Sequence, residues 1–223
     1  RLAVQHMTPV MLLSDGYIAN GAEPWKFPKA DDLPEIKVNF KKGLAEGEEK
    51  LMPYKRDEKL VRPWAIPGTP GLEHRIGGIE KQDVTGNVNY EPENHQHMVF
   101  TRQAKVDKIA DYVPEQKLDS GAAKGKLLVV GWGSTYGAIK SACAELQAEG
   151  LSVSHAHIRY IRPFPKNLGT MLKNFEQVLV PEINNGQLVK ILRDQYFVDA
   201  KAYNKIMGVP ITKTELVIEL EKM

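Results

Sequence analysis

The chain has 223 residues, 42% hydrophobic and 26% charged, which excludes a disordered tail or a fibrous repeat and leaves room for one sizeable core or two modest domains. Its 30 Lys and Arg against 28 Asp and Glu leave +2, with no run of like charge long enough to track a phosphate backbone, so no nucleic-acid partner is expected. One cysteine, Cys143, excludes an intrachain disulfide and falls short of the roughly four thiolates an iron–sulfur cluster takes, and no apolar run approaches the ~20 residues of a membrane helix, so a soluble, cytoplasmic protein is expected.

Arg1 to His6 has neither an initiator Met nor the charged and apolar regions of a signal peptide. It runs into Pro9-Val-Met-Leu-Leu13, a continuous apolar stretch that reads as a fully buried strand. Such a strand needs neighbours on both edges and helices on both faces. The next hundred residues offer no comparable run, so the chain is expected to start inside a domain whose earlier strands precede Arg1. A turn at Ser14-Asp15-Gly16 and a short helical stretch stopping at Asn20-Gly21 and Pro24 complete a segment of residues 1–27.

From there to about residue 123 the sequence is irregular. Eight of the fourteen prolines lie between Pro24 and Pro92, and Pro67-Gly-Thr-Pro-Gly71, Gly77-Gly78 and Thr85-Gly-Asn87 are turn chemistry. Trp25, Tyr54, Trp64 and Tyr90 argue for an extended arm laid over a surface, because disordered linkers are poor in aromatics. Met98 to Val113 has helical spacing, and His95 and His97 share a face if their stretch is extended.

Residues 124–223 alternate strand and helix, the pattern of an α/β fold with a three-layer, mostly parallel sheet. The expected strands are Lys126 to Gly131, Val153 to Ile158 and Phe175 to Pro181. Between and after them come a helix capped by Ser134 or Thr135 and ended by Gly150, a short helix at Leu168 to Lys173, a helix capped by Asn184 or Asn185, and a last helix opening on the capping box Thr212-Lys-Thr-Glu215.

Few motifs carry chemistry. Gly131-Trp-Gly133-Ser-Thr-Tyr-Gly137 follows a strand and opens a helix, where backbone amides meet anions, but its spacing is not G-x-G-x-x-G and no acidic residue follows at ribose distance. Those glycines are read as serving a tight turn and close helix–sheet packing. His155 and His157 share one strand face, yet two imidazoles fall short of the three or four ligands zinc wants. Glu73-His74-Arg75 resembles an acid–base cluster against the simpler reading of a hydrogen-bonded polar turn. Arg162, before Pro163-Phe164-Pro165, is placed to meet a carboxylate or phosphate, or to brace the chain. Cys143 reads as an inert core thiol. No G-x-S-x-G elbow, Walker loop or paired catalytic carboxylates occur.

Taken together, His6-Met-Thr-Pro-Val-Met-Leu-Leu-Ser-Asp-Gly16, Glu23-Pro-Trp25, Arg62-Pro-Trp64, Gly71-Leu-Glu-His74, Pro92-Glu-Asn-His95, Val130-Gly-Trp-Gly-Ser-Thr135, Arg162-Pro-Phe-Pro165, Pro181-Glu182 with Asn184-Asn-Gly-Gln-Leu188, and Lys205-Ile-Met-Gly208 resemble the alpha subunit of 2-oxoacid:ferredoxin oxidoreductases, the 2-oxoglutarate enzyme most nearly. The resemblance implies an enzyme that decarboxylates a 2-oxoacid on thiamine diphosphate, passes the acyl group to coenzyme A and electrons to ferredoxin. Magnesium, thiamine diphosphate and the iron–sulfur cluster are then held outside this chain, largely by a beta subunit. It further implies that residues 1–27 are the tail of a pyrimidine-binding domain, 28–123 an interdomain arm, and 124–223 a transketolase C-terminal-like domain. The chain alone is expected to be inactive, a scaffold and subunit contact, with Glu73, His74 and Arg162 as substrate or partner contacts. The alternatives are a pyruvate or branched-chain 2-oxoacid enzyme of the same family, and a nucleotide-binding regulatory module.

Overall fold

The computed structural model describes all residues from Arg1 to Met223. Helices in chain order are α1 (Leu2–His6), α2 (Gly16–Ala19), α3 (Pro92–Lys108), α4 (Tyr136–Ala148), α5 (Leu168–Lys173), α6 (Gln187–Tyr196) and α7 (Lys213–Leu220). The strands are β1 (Gly125–Trp132), β2 (Val153–Ile158), β3 (Phe175–Glu182) and β4 (Ala200–Asn204). The chain forms two compact units, Arg1–Met11 with Trp25–Tyr112, and Leu12–Pro24 with Val113–Met223.

The second unit contains the sheet. All four strands are parallel, in the order β2-β1-β3-β4. Successive side chains on a strand point to opposite faces, so β1 sends Leu128 and Val130 to one side and Leu127 and Val129 to the other. Leu168 and Leu172 of α5 and Leu188 and Leu192 of α6 cover the first face. Ile139, Ala142 and Leu146 of α4 and Leu216 and Leu220 of α7 cover the second, which completes the expected three layers. Each such fully buried leucine contributes about 1.5–3 kcal/mol from leaving water.

Helix ends follow their sequence signals in part. Past α4, Gly150 adopts φ +89° and Leu151 N–H returns to the Leu146 carbonyl at 2.9 Å. Thr212 Oγ1 accepts from Glu215 N–H at 3.2 Å while Glu215 Oε2 accepts from Thr212 N–H at 2.8 Å, so the capping box of α7 is formed. Ser134 and Thr135, by contrast, do not cap α4. The Thr135 hydroxyl accepts from Trp132 N–H at 3.2 Å and donates to the Trp132 carbonyl at 2.8 Å, closing the turn that leaves β1. The outer edge of β2 is met by Ser120, whose carbonyl accepts from His155 N–H at 3.0 Å; β4 forms the other edge.

The first unit is mostly turns around α3. Pro92 occupies the first turn, where its missing N–H costs nothing, and the helix tightens into a 3₁₀ turn at Ile109–Tyr112. Leu51, Val61, Leu72, Met98 and Ile109 are buried. Trp64 stands edge-on to Phe40 and donates to the Val4 carbonyl at 3.1 Å, whereas Trp25 and Tyr90 are exposed.

Three expectations are corrected. Pro9 to Leu13 is not a buried strand: it pairs with nothing, and Val10 to Leu13 are exposed. A continuous apolar run reports affinity for a nonpolar neighbour, but a strand also needs a ladder partner, and the described residues supply none there. The helix begins at Pro92 rather than Met98, so His95 and His97 ride a helix and diverge around it instead of sharing a strand face. Finally, β4 has no counterpart among the expected strands.

Candidate functional site

In an open parallel sheet, ligands sit outside the carboxyl ends of the strands where strand order reverses. Here that point lies between β1, which leads to β2 on one side, and β3, which leads to β4 on the other. Gly131 lies at a close approach of α4 and β2 to β1. A Cβ there would lie 2.5 Å from Ile139 Cδ1, 3.0 Å from Thr135 Oγ1 and 3.1 Å from His157 Nδ1. The packing reading of this glycine therefore holds.

β3 ends on Glu182, a fully buried carboxylate. Its Oε1 accepts from Leu188 N–H at 2.9 Å, Asn184 Nδ2 at 3.1 Å and Trp132 Nε1 at 3.3 Å, and its Oε2 accepts from Val189 N–H at 3.0 Å. Asn184 Oδ1 takes the remaining first-turn amide, Gln187 N–H, at 2.9 Å, so Asn184 does serve the start of α6, with Gly186 as the residue at the cap itself. Helix amino termini attract anions through these orphan amides and the positive end of the dipole. At α6 the chain fills that seat with its own carboxylate, which removes the attraction a nucleotide phosphate would find there. The signal in the sequence was an acidic residue between a strand end and a helix start; its partners, however, are set by the tertiary fold.

His155 and His157 do share one face of β2, with ring centroids 6.0 Å apart and Tyr136 at 5.5 and 4.9 Å. Neither nitrogen of His155 has a hydrogen-bond partner, nor has His157 Nδ1. Burial drives the His155 pKa down to about 4 against the opposing pull of Asp119, and lowers that of His157 for the same reason. Two neutral imidazoles gather no further ligand: no group of three or more His, Cys, Asp or Glu is placed to hold a metal ion. Cys143 is buried on α4, where desolvation pushes its thiol up to about 12, far from a metal-binding thiolate. A single buried thiol does not supply the thiolates an iron–sulfur cluster takes.

Glu73 and His74 lie in the first unit and Arg162 in the second, and all three are exposed. His74 Nδ1 is 2.7 Å from the Leu72 carbonyl, while Glu73 and Arg162 make no hydrogen bond or ion pair, so no acid–base pair forms at Glu73-His74. The ordered polar geometry of the first unit instead joins the 80–83 turn to α3. Glu80 accepts from both Arg102 terminal nitrogens, at 3.2 and 3.3 Å, and lies 2.6 Å from His95 Nδ1. The Arg102 guanidinium holds this carboxyl down at about 2. Asp83 accepts from Arg56 at 2.5 Å and lies 2.7 Å from His97 Nε2. These pairs join residues distant in sequence, which spacing alone does not reveal.

The pyruvate:ferredoxin oxidoreductase core domain II family matches residues 125–215. The 2-oxoglutarate oxidoreductase subunit KorA of Mycobacterium tuberculosis is 49% identical over 217 residues, covering 97% of this chain and 32% of that protein. The 2-oxoacid:ferredoxin oxidoreductase subunit alpha of Saccharolobus solfataricus is 27% identical over 223 residues, covering 96% of this chain and 34% of that protein. A solved structure of the 2-oxoglutarate:ferredoxin oxidoreductase from Magnetococcus marinus, with 2-oxoglutarate, coenzyme A and succinyl-CoA bound, superposes with a TM-score of 0.78 at 28% identity, over 87% of this chain and 34% of that one. The chain spans about a third of the length of the curated relatives it matches. Along nearly its whole length the chain is similar to alpha subunits of the 2-oxoacid:ferredoxin oxidoreductases, and its sheet-bearing part matches their core domain II.

Proposed function

We propose that this chain acts as the C-terminal part of the alpha subunit of a cytoplasmic 2-oxoglutarate:ferredoxin oxidoreductase, working with a beta subunit. Such an enzyme forms an acyl-CoA from a 2-oxoacid and coenzyme A, with electrons leaving to ferredoxin; thiamine diphosphate, magnesium and an iron–sulfur cluster supply the decarboxylation and electron transfer. The observation that carries this reading is the 49% identity running through both units over 97% of the chain. In this role residues 1–27 are the tail of a pyrimidine-binding domain, 28–123 an interdomain arm and 124–223 the closing α/β domain. The sheet contributes a scaffold whose own anion seat is filled by Glu182. Exposed Glu73, His74 and Arg162 are free to meet the substrate or a neighbouring subunit.

The test is dye or ferredoxin reduction by the complete complex with 2-oxoglutarate, pyruvate or a branched-chain 2-oxoacid as sole substrate. Preference for 2-oxoglutarate is expected, because a pocket built for a second carboxylate leaves a charged group unpaired with an apolar substrate. The 223-residue chain alone should show no turnover, and acyl transfer by it would sink the proposal. A pyruvate or branched-chain 2-oxoacid enzyme of the same family is the second reading, favoured by similarity to the 2-oxoacid subunit of Saccharolobus solfataricus; faster turnover of either acid would select it.

A further inference from the structure

Within the first unit, Tyr54, Arg56, Arg62, the Ile79-Glu80-Lys81 turn and the α3 side chains His95, Met98, Thr101, Arg102 and Lys105 enclose a cavity of about 450 Å³. That size lies in the range of small-molecule sites. Its wall carries five cationic side chains against the carboxylate of Glu80, with Asp83 alongside on Arg56. The carboxylates are already engaged: Glu80 by Arg102 and His95, Asp83 by Arg56 and His97. Arg62 and Lys105 have no carboxylate partner. The Arg62 guanidinium lies over the Tyr54 ring, 4.6 Å from its centroid, and Arg56 over the same ring at 5.2 Å. Lys105 Nζ spends one N–H on the Met7 carbonyl at 3.0 Å and is otherwise uncommitted.

Like charges brought together in a half-buried site repel, and the repulsion persists unless an anion enters. Burial and the facing Arg56 and Arg62 lower the Lys105 pKa, the same strain expressed as a proton equilibrium. We propose that this cavity binds a phosphorylated small molecule, its phosphoryl oxygens held by Arg62 and Lys105. A phosphoryl group suits the excess of positive charge better than a single carboxylate, and a guanidinium presents paired N–H donors to its oxygens. The Thr101 hydroxyl already donates to the His97 carbonyl at 2.8 Å, so the ligand's charge falls to the cations, while Met98 and Tyr54 offer nonpolar surface to its body. This proposal stands apart from the reading of activity above, since it uses only contacts within the first unit.

The probes are pyrophosphate, inorganic phosphate and acetate, titrated into the purified 223-residue chain by calorimetry at low ionic strength. Saturable pyrophosphate binding at one site is expected, weaker binding of phosphate, and none of acetate. Arg62→Gln and Lys105→Gln should each weaken pyrophosphate binding about tenfold or more. Lys222→Gln, in the second unit, should leave it unchanged. Circular dichroism checks each fold; if Lys105→Gln unfolds, Arg62→Gln decides, because Arg62 holds only the Tyr54 ring. Absent pyrophosphate saturation, acetate binding of equal strength, or undiminished affinity in folded Arg62→Gln overturns the proposal.

Discussion

The indole Nε1–H of Trp132, at the end of β1, donates across 3.3 Å to the Glu182 carboxylate at the end of β3, which also holds two amides of α6. A single buried charge thereby ties two strand ends and a helix start together at the point where the sheet reverses order.

Replacing Glu182 by Ala leaves the Leu188 and Val189 amides and the Trp132 indole without an acceptor in a dry site. We expect a loss on the order of 3 kcal/mol, and a smaller one, about 1–2 kcal/mol, for Glu182→Gln, which keeps one acceptor oxygen. Urea unfolding followed by circular dichroism measures both. Equal stability of Glu182→Ala and wild type would show that the helix start is satisfied without this carboxylate.

Two glycines of one motif should respond in opposite directions. Gly131→Ala forces a Cβ to within 2.5 Å of Ile139 Cδ1 and should cost about 1–3 kcal/mol through overpacking. Gly137→Ala adds a methyl group on α4 with nothing within 4 Å and should raise stability by up to about 1 kcal/mol. Thermal unfolding of the pair checks whether packing, rather than ligand access, fixes Gly131.

The buried histidines set an acid limb. His155 titrates at about 4 in the folded chain because burial disfavours its charge, against an ordinary value of 6.5. Between these values the unfolded chain binds a proton that the folded chain refuses, so the contribution of His155 to stability falls as pH drops from 6.5 toward 4 and changes no further below that. The loss from this group is on the order of 3 kcal/mol. In chemical denaturation at stepped pH, His155→Leu should flatten this limb, leaving the part due to His157 and His6, whose pKa values are shifted in the same direction. An unchanged limb would assign the acid sensitivity elsewhere.

Cys143 should stay silent to a thiol reagent at neutral pH in the folded chain and react once urea exposes it, because desolvation holds its thiol near 12. Prompt labelling without denaturant would contradict its place on the covered face of α4.

The sheet was legible where sequence and burial speak the same language. β1, β2 and β3 are buried runs, with apolar side chains of β1 and β3 on both covered faces, and α7 announces itself with Thr212 and Glu215. β4 was hidden because Ala-Lys-Ala-Tyr-Asn is a partly exposed edge with one buried residue and little apolar content. Pro9 to Leu13 misled for the opposite reason, offering apolar content without a partner strand. The start of α3 is marked by Pro92 and not by apolar spacing. Glu182 and the cation-lined cavity depend on residues brought together only by the fold. Charge and spacing along the chain carry no trace of those meetings.

The edges of the sheet have a bearing on self-association. An unpaired strand margin is a template on which a second copy can add, the first step toward cross-β stacking. On β2 the Ser120 bridge already occupies part of that margin, and on β4 the exposed Lys201 places a positive charge where an identical margin would bring its own. Ribbon growth from this unit is therefore obstructed by backbone pairing on one flank and by charge repulsion on the other.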